Sequence, residues 1–585
     1  ELLEIIKQNG TTLLFVNTRS QAELLFQSLW ELNEDGLAIA LHHGSLDVEQ
    51  RRKVEAAMVA GKLQAVVCTS TLDLGIDWGD VDLVVQIGAP KGSSRLLQRI
   101  GRSNHRLDEP SRALLVPANR FEVLECEAAK EAVKERAQDS EDPQPGGLDV
   151  LAQHILGMAC SAPFNAVQLY DEIICAWPYR DLEWEQFERV VDFVATGGYA
   201  LCAYERFARL RKTEDDTWRI AHPKIAQQYR MNVGTIVEEP MLKVRLVRSR
   251  GQKRGATTGP IGRGGRVLGE IEEYFISQLS PGDTFIFGGE IVAFEAIKDT
   301  EAYVSRAVAK NPKIPSYMGG KFPLSTYLAE RVRKTLATPK LWQAMPDQVS
   351  DWLRLQRDVS TLPGEESLLV ETFPKADKYF MVCYPFEGRL AHQTLGMLLT
   401  HRMEELGLDP LGFVATDYAT MVWGMETVTD PAPLLDADNI RDSFENWLGG
   451  NAVMKKTFRG AANIAGLIER NLPQGRKNGR QATFSSDILY DTLHKYDPDH
   501  LMLQITREEA MRGLVDFGRI EEMLTRTKGR VDHVHLNRVS PLAAPMLLEV
   551  GRVAVSGEGR ERLIEEEAEK LMAASRLDQI GAAPR

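Results

Sequence analysis

The chain has 585 residues, 43% of them hydrophobic and 26% charged, with a net charge of −13. That length predicts about three to five domains rather than one core, and without an apolar run near ~18 residues no membrane-spanning helix is expected. The six cysteines (Cys68, Cys126, Cys160, Cys175, Cys202 and Cys383) never form C-x-x-C. Their scatter argues against a zinc or iron–sulfur site, so no metal ligands are predicted, and for a reducing cytoplasm.

Short apolar runs at 12–17, 37–42, 63–69, 81–87 and 113–117 alternate with helical stretches at 19–33, 47–60 and 93–104. Apolar strands without alternation are buried on both faces, so residues 1–138 are read as an α/β doubly wound parallel sheet. The Pro- and Gly-rich stretch at 139–147 reads as a linker. Three helical patterns and a hairpin around Asp215–Asp216 predict a winged helix over 148–232. Residues 233–310 turn strand-rich and barrel-like, and 311–585 read as one large mixed α+β domain closed by a charged helix at 559–575.

Charge is unevenly placed. Between 241 and 268 lie Lys243, Arg245, Arg248, Arg250, Lys253, Arg254, Arg263 and Arg266 without one acidic residue. A second basic run holds Lys455, Lys456, Arg459, Arg470, Arg476, Lys477 and Arg480 against Glu469. An isolated basic run is ordinarily a solvated loop; beside the motifs below, phosphate contact is expected, with Arg248, Arg250, Lys253 and Arg254 as candidates. Net charge does not decide this, because the local field at the channel governs binding.

Four segments fall at strand ends: T-L-L-F-V-N-T-R (12–19), H-H-G-S-L-D-V-E-Q-R (42–51), V-V-C-T-S-T-L-D-L-G-I-D (66–77) and Q-R-I-G-R-S-N-H (98–105). Ligands of such sheets bind beyond the carboxyl ends of the strands. Thr18, Arg19, His43, Gly44, Thr69 and Ser70 there offer hydroxyls, cations and free amides to a nucleic-acid phosphate, whereas Gly75 permits a bend that presents Asp77 to a ribose hydroxyl of a bound nucleotide cofactor, whose other expected contacts are Gln98 and Arg102. Gln98 and Arg102, four apart, are expected on one helical face with Arg99 on the same side. A guanidinium suits charge building on a transferring phosphoryl group, so Arg102, Arg99 and Gln98 are the candidate catalytic residues. His533 and His535 share a strand face and receive a structural reading.

In this order the four segments resemble motifs IV to VI of superfamily 2 helicases, and with P-S-Y-M-G-G-K-F-P-L-S-T (315–326) and F-E-G-R-L-A-H (386–392) the whole chain resembles the large helicase-related (Lhr) family, in its ligase-associated DEXH-box branch. The resemblance implies a RecA-like lobe, a winged helix and a C-terminal domain enclosing single-stranded DNA. It also implies 3′-to-5′ translocation with ATP and Mg²⁺ in bacterial DNA repair, in a nucleoid-associated cytoplasmic protein partnered by an ATP-dependent DNA ligase and nucleases. Tyr317 stands where the family places a Trp and can stack a base. His105 stands where many superfamily 2 helicases carry a second Arg, implying a single arginine finger.

No G-x-x-x-x-G-K-[ST] loop and no D-E-x-[HD] box occurs in the sequence, which starts at Glu1. Those elements carry phosphate and Mg²⁺ in such motors. The chain is therefore read as a helicase lacking its first RecA-like domain and unable to hydrolyse ATP alone. The alternatives are a non-catalytic nucleic-acid-binding module and a helicase acting on RNA or an RNA–DNA hybrid.

Overall fold

A computed structural model describes residues 1–73, 81–104, 110–139, 143–237, 241–247, 265–277, 279–298, 301–309, 312–313, 315, 324–438, 452–472, 475–476, 479–511, 516–548 and 570–576. The chain divides into two compact units, Glu1–Asp139 with Met241–Ala437 and Gly518–Arg585, and Ser140–Pro240 with Asp438–Phe517.

The first unit begins with α1 (Leu2–Lys7), β1 (Thr12–Phe15), α2 (Arg19–Glu31), β2 (Ile39–His42) and α3 (Val48–Val59). It continues through β3 (Ala65–Cys68), β4 (Leu83–Ile87), α4 (Ser93–Ile100), β5 (Ala113–Val116) and α5 (Arg120–Lys134). All five strands run parallel in the order β2-β3-β1-β4-β5. Alternate side chains leave a strand on opposite faces, and both faces are covered here. Leu14, Val16, Val67 and Val85 meet Ile6, Ala22 and Leu29 on one side. Leu13, Phe15, Val66 and Val84 meet Met58 on the other. That double burial is why the strands read as unbroken apolar runs.

Residues 143–237 carry α6 (Leu148–Ser161), β6 (Phe164–Asn165), α7 (Ala166–Ile174), α8 (Trp184–Thr196), β7 (Leu210–Lys212), β8 (Thr217–Ile220) and α9 (Pro223–Asn232). With sheet order β6-β8-β7 this is a winged helix. Helix α8 stops at Gly197, whose φ of 79° is left-handed and costs glycine little. The helices Ala452–Ile464, Gly479–Tyr496 and Leu501–Glu509 belong to the same unit. Gln153 Nε2 donates to Ile464 O at 2.7 Å, and Arg209 Nη1 donates to Ala465 O at 3.1 Å.

Two expectations are corrected by this second unit. The stretch 311–585 is not one domain, because residues 438–517 return to the winged helix. The second basic run is partly neutralised from the following helix: Lys455 pairs with Asp491 at 2.8 Å, and Arg459 binds Ser486 at 3.0 Å and Asp487 at 3.4 Å. The side chains of Arg476, Lys477 and Arg480 lie outside the described residues.

Back in the first unit, β9 (Met241–Leu246), β10 (Arg266–Glu272), α10 (Glu273–Ser277), β11 (Thr284–Phe287), β12 (Glu290–Lys298) and β13 (Glu301–Arg306) follow. Their sheet runs β10-β9-β13-β12-β11, with register shifts at Val267/Gly269 and Phe294/Ala296. Bulges of this kind increase local twist, so the sheet bends there. The sheet seats on the loop after β2: Asp47 N–H donates to Leu268 O at 3.1 Å and Glu270 N–H to Ser45 O at 2.8 Å. A Cβ on Gly269 would collide with Ser45 O, so only glycine permits this approach. Of the first basic run, Lys243 and Arg245 sit on β9, and Arg245 is taken by Glu301.

The rest of this unit comprises α11 (Thr326–Ala337), α12 (Asp347–Val359), β14 (Leu368–Lys375), β15 (Lys378–Cys383), α13 (Arg389–Glu405), β16 (Pro410–Ala415), β17 (Thr420–Gly424) and the strand Val531–His535. The sheet order is β16-β17-β15-β14 followed by that last strand. Thr372 Oγ1 lies 3.0 Å from His533 Nε2 and 3.0 Å from His535 Nδ1. The α+β domain shares a core with the parallel-sheet lobe. Phe121 of α5 stacks on Tyr418 at 4.5 Å and meets Trp352 edge-on at 4.8 Å. Of the predicted terminal helix at 559–575, only 570–575 lie among the described residues.

The F-E-G-R-L-A-H segment forms the turn into α13. Buried His392 donates from Nδ1 to Thr416 O at 2.7 Å and accepts at Nε2 from Glu387 N–H at 3.0 Å, so its ring is held neutral. Burial pulls its pKa down from 6.5 to about 4. Above pH 6.5 the ring is neutral folded or unfolded. As pH falls from 6.5 to about 4 only the unfolded chain takes up the proton, so stability drops by about 3 kcal/mol. Denaturant midpoints at pH 7 and pH 4.5 should therefore fall less for His392→Gln than for the parent; equal falls would refute the assignment.

Candidate nucleotide and nucleic-acid interface

The strand tips converge on a buried guanidinium. Arg99, 1% exposed, donates from Nε to Asp73 Oδ1 at 2.9 Å and from Nη2 to Asp73 Oδ2 at 3.3 Å. Its Nη1 donates to Gln86 Oε1, and its plane lies 4.8 Å from the Phe15 ring centroid. Gln86 Nε2 donates in turn to Gly88 O at 3.0 Å, and Asn17 Nδ2 to Ala89 O at 2.7 Å. One side chain thus fastens the first, third and fourth motifs together. The catalytic expectation for Arg99 is corrected, because a guanidinium consumed by Asp73 and Gln86 inside the lobe does not reach a ligand. Asp73, Gln86 and Asn17 were not singled out in the sequence, and no local pattern marks partners 13 to 26 residues away.

Adjacent helical residues point about 100° apart, so burying Arg99 turns Gln98 outward, and Gln98 is exposed. Helix α4 ends at Ile100 with Gly101 as its C-cap, short of the predicted 104. Arg102, half-buried, therefore stands in the following turn, its N–H bonded to Arg99 O at 2.9 Å, and does not share a helical face with Gln98. The turn is pulled back to the sheet by Asn104 N–H donating to Val81 O at 2.7 Å.

The second motif divides between inside and outside. His43 is fully buried, with Nε2 3.0 Å from Glu23 Oε1 and Nδ1 accepting from Ser45 N–H at 3.3 Å. Its expected contact with nucleic acid is corrected: no solvent path leads to a ring held between Glu23 and Ser45. Glu23, itself buried, also accepts from the N–H groups of Gly288 at 2.6 Å and Gly289 at 2.8 Å. His42 is likewise buried, 2.9 Å from Thr71 Oγ1 and 3.0 Å from Glu55, and burial holds its pKa below the usual imidazole range.

Outside, Gly44 is exposed, and a Cβ built on it would lie 3.8 Å from both Arg19 Nη2 and Thr71 Cγ2. Arg19, Gly44 and Thr71 therefore converge, with Arg19 Nη1 donating to Ser45 Oγ at 2.9 Å. Ser70 is exposed in a one-turn 3-10 helix, whereas Thr69 is buried at its start. Thr18 is engaged as the cap of α2: its hydroxyl accepts from Gln21 N–H at 3.2 Å. Gly75, Asp77, Arg248, Arg250, Lys253, Arg254 and Tyr317 lie outside the described residues. Among the described residues no group of three or more His, Cys, Asp or Glu side chains could hold a metal ion, and no helix is long and apolar enough to cross a membrane.

Three family models match the chain: the helicase conserved C-terminal domain at 1–106, the winged helix domain of the large helicase-related protein at 131–314, and the DEAD/H associated domain at 362–543. The ATP-dependent helicase Lhr-Core protein 2 of Thermococcus barophilus is 29% identical over 97% of this chain and 67% of its own length. The Lhr helicase/probable uracil glycosylase of Mycolicibacterium smegmatis is 26% identical over 99% of this chain and 41% of its own. This chain thus spans about two thirds of the first relative and less than half of the second. The solved structure of the Mycobacterium smegmatis helicase Lhr bound to ssDNA and AMP-PNP has a TM-score of 0.70 at 24% identity, covering 93% of this chain and 67% of that one. A parallel-sheet lobe bearing four ordered motifs, followed by the winged-helix and DEAD/H-associated matches, places the chain in the Lhr family of helicases.

Proposed function

We propose that the chain supplies the second motor lobe and the DNA-enclosing domains of an ATP-dependent helicase that moves 3′ to 5′ along single-stranded DNA. One observation carries the reading: Gln98 stands exposed on a helix clamped from within by Arg99, and Arg102 stands in the turn that leaves it. Arg19, Gly44 and Ser70 occupy the neighbouring strand tips as a phosphate-facing patch. ATP with Mg²⁺ supplies the transferable phosphoryl group. In this reading both are held mainly by a lobe outside this chain, Arg102 donates to the phosphoryl oxygens and Gln98 orients them, so the chain alone does not hydrolyse ATP. The Mycobacterium smegmatis relative is bound to ssDNA and AMP-PNP, and the same ligand pair is proposed here. A role in bacterial DNA repair with an ATP-dependent ligase and nucleases follows from the ligase-associated resemblance.

Partial duplexes with a 3′ or a 5′ single-stranded tail test the direction in the full-length protein. Unwinding of the 3′-tailed duplex alone is expected, and equal unwinding of the 5′-tailed one removes the polarity. Competition with RNA of equal sequence across a salt series tests the substrate. Single-stranded DNA should win, and tighter RNA binding shifts the reading to RNA–DNA hybrids.

A further inference from the structure

The loop between β4 and α4 is held by the α+β domain. Lys91 adopts φ 64°, a left-handed conformation unfavourable for a residue with a side chain. Its carbonyl accepts from Ser325 N–H at 3.0 Å. Its Nζ lies 2.9 Å from Glu125 Oε2 and 3.0 Å from Asp417 Oδ2, in a setting where the lysine side chain is 12% exposed. Glu125 also accepts from Tyr418 Oη at 2.9 Å. Asp417 Oδ1 accepts from the N–H of Arg389, first residue of α13, at 3.2 Å. Across the loop, the Asp139 carboxylate accepts from Ser93 Oγ at 2.8 Å, Ser94 N–H at 3.1 Å and Ser325 Oγ at 3.0 Å.

Helix α4 is eight residues long and its N-cap, Gly92, offers no side chain. A helix so short has little orientation of its own, and its start is set by groups from elsewhere in the fold. A strained backbone persists only where surrounding contacts over-determine it, and here those contacts come from α5, α11 and the β16–β17 loop. We propose that Lys91 is a positioning residue that couples the F-E-G-R turn of the α+β domain to helix α4, holding Gln98 and Arg102 in register with the nucleotide; this rests on the nucleotide-facing reading of Arg102.

The test uses the full-length protein with Lys91→Met, Lys91→Arg, Asp417→Asn and Arg102→Ala. Lys91→Met should lower the kcat of DNA-stimulated ATP hydrolysis about tenfold or more, with single-stranded DNA affinity and the KM for ATP within about twofold. Lys91→Arg should recover most of that loss. Asp417→Asn, which leaves Glu125 to pair with Lys91, should fold normally and show a smaller fall in kcat. Combined with Arg102→Ala, Lys91→Met should add nothing further, as expected of residues acting through one helix. Hydrogen exchange of amides 96–101 should quicken in Lys91→Met while that of α2 and α3 stays unchanged. Multiplicative losses in the double variant, or unchanged exchange at 96–101, would overturn the proposal. An Arg102→Ala protein with parental ATPase instead overturns the nucleotide-facing reading, and the exchange measurement still decides the role of Lys91.

Discussion

Arg102→Ala in the full-length protein is expected to keep its affinity for single-stranded DNA and to lose about a thousandfold in DNA-stimulated ATP hydrolysis. The size follows from what a guanidinium does beside a transferring phosphoryl group, where charge spreads over oxygens that a fixed, planar cation meets without reorganisation. The selectivity of the effect follows from geometry. Arg102 lies past the end of α4 in a turn tied to the sheet through Asn104 and Val81, so truncating it leaves the patch at Arg19, Gly44 and Ser70 intact. Arg102→Lys should recover little, because a point charge lacks the fork. Steady-state ATPase with saturating DNA, paired with a filter-binding titration, reads both quantities. A parental ATPase rate would eliminate the finger; a parallel loss of DNA affinity would assign Arg102 to the DNA side.

The neighbouring arginine should fail differently. Arg99→Met is expected to destabilise the parallel-sheet lobe by about 3–5 kcal/mol, since it strands the Asp73 carboxylate and the Gln86 amide inside the protein without a cation. Loss of the guanidinium stacked on Phe15 adds to this. Arg99→Met combined with Asp73→Leu removes both charges at once and should regain much of the stability, because replacing a whole buried pair is far cheaper than breaking it. Urea melts of the single and paired variants decide the matter. A single variant within about 1 kcal/mol of the parent would show that Arg99 is not the internal clamp, and would return it to the list of ligand contacts.

These two arginines also mark how far the sequence could be read. The strands at 12–17, 63–69 and 81–87 were found within two residues of their observed ends, because double burial leaves an unmistakable apolar run. The motif order picked out segments that the structure sets together at the carboxyl-end edge of the sheet. Nothing local separates Arg99 from Arg102, since the difference lies in Asp73, in the turn after β3, and Gln86, on β4. His43 was misread for the same reason: its partner Glu23 sits on the preceding helix and looks like any solvated helical glutamate. The second basic run was misjudged because Asp487 and Asp491 lie just beyond it in sequence and across from it in space. The excursion of 438–517 away from the C-terminal domain carries no compositional mark, and long-range pairing of this kind leaves none.

Glu23 has a consequence for how the protein is made. Its carboxylate is sealed from water and shared among His43, Gly288 and Gly289. A nascent chain that has emerged only through the first sheet holds that carboxylate with two of these three partners, the Gly288 and Gly289 amides, still unsynthesised. The lobe is therefore expected to ripen late, after about 170 further residues have left the ribosome and β11 and β12 have folded back across its helix. Such distant closure slows folding, and a gene cut after the first sheet would leave the Glu23 carboxylate with His43 as its one remaining partner among these three.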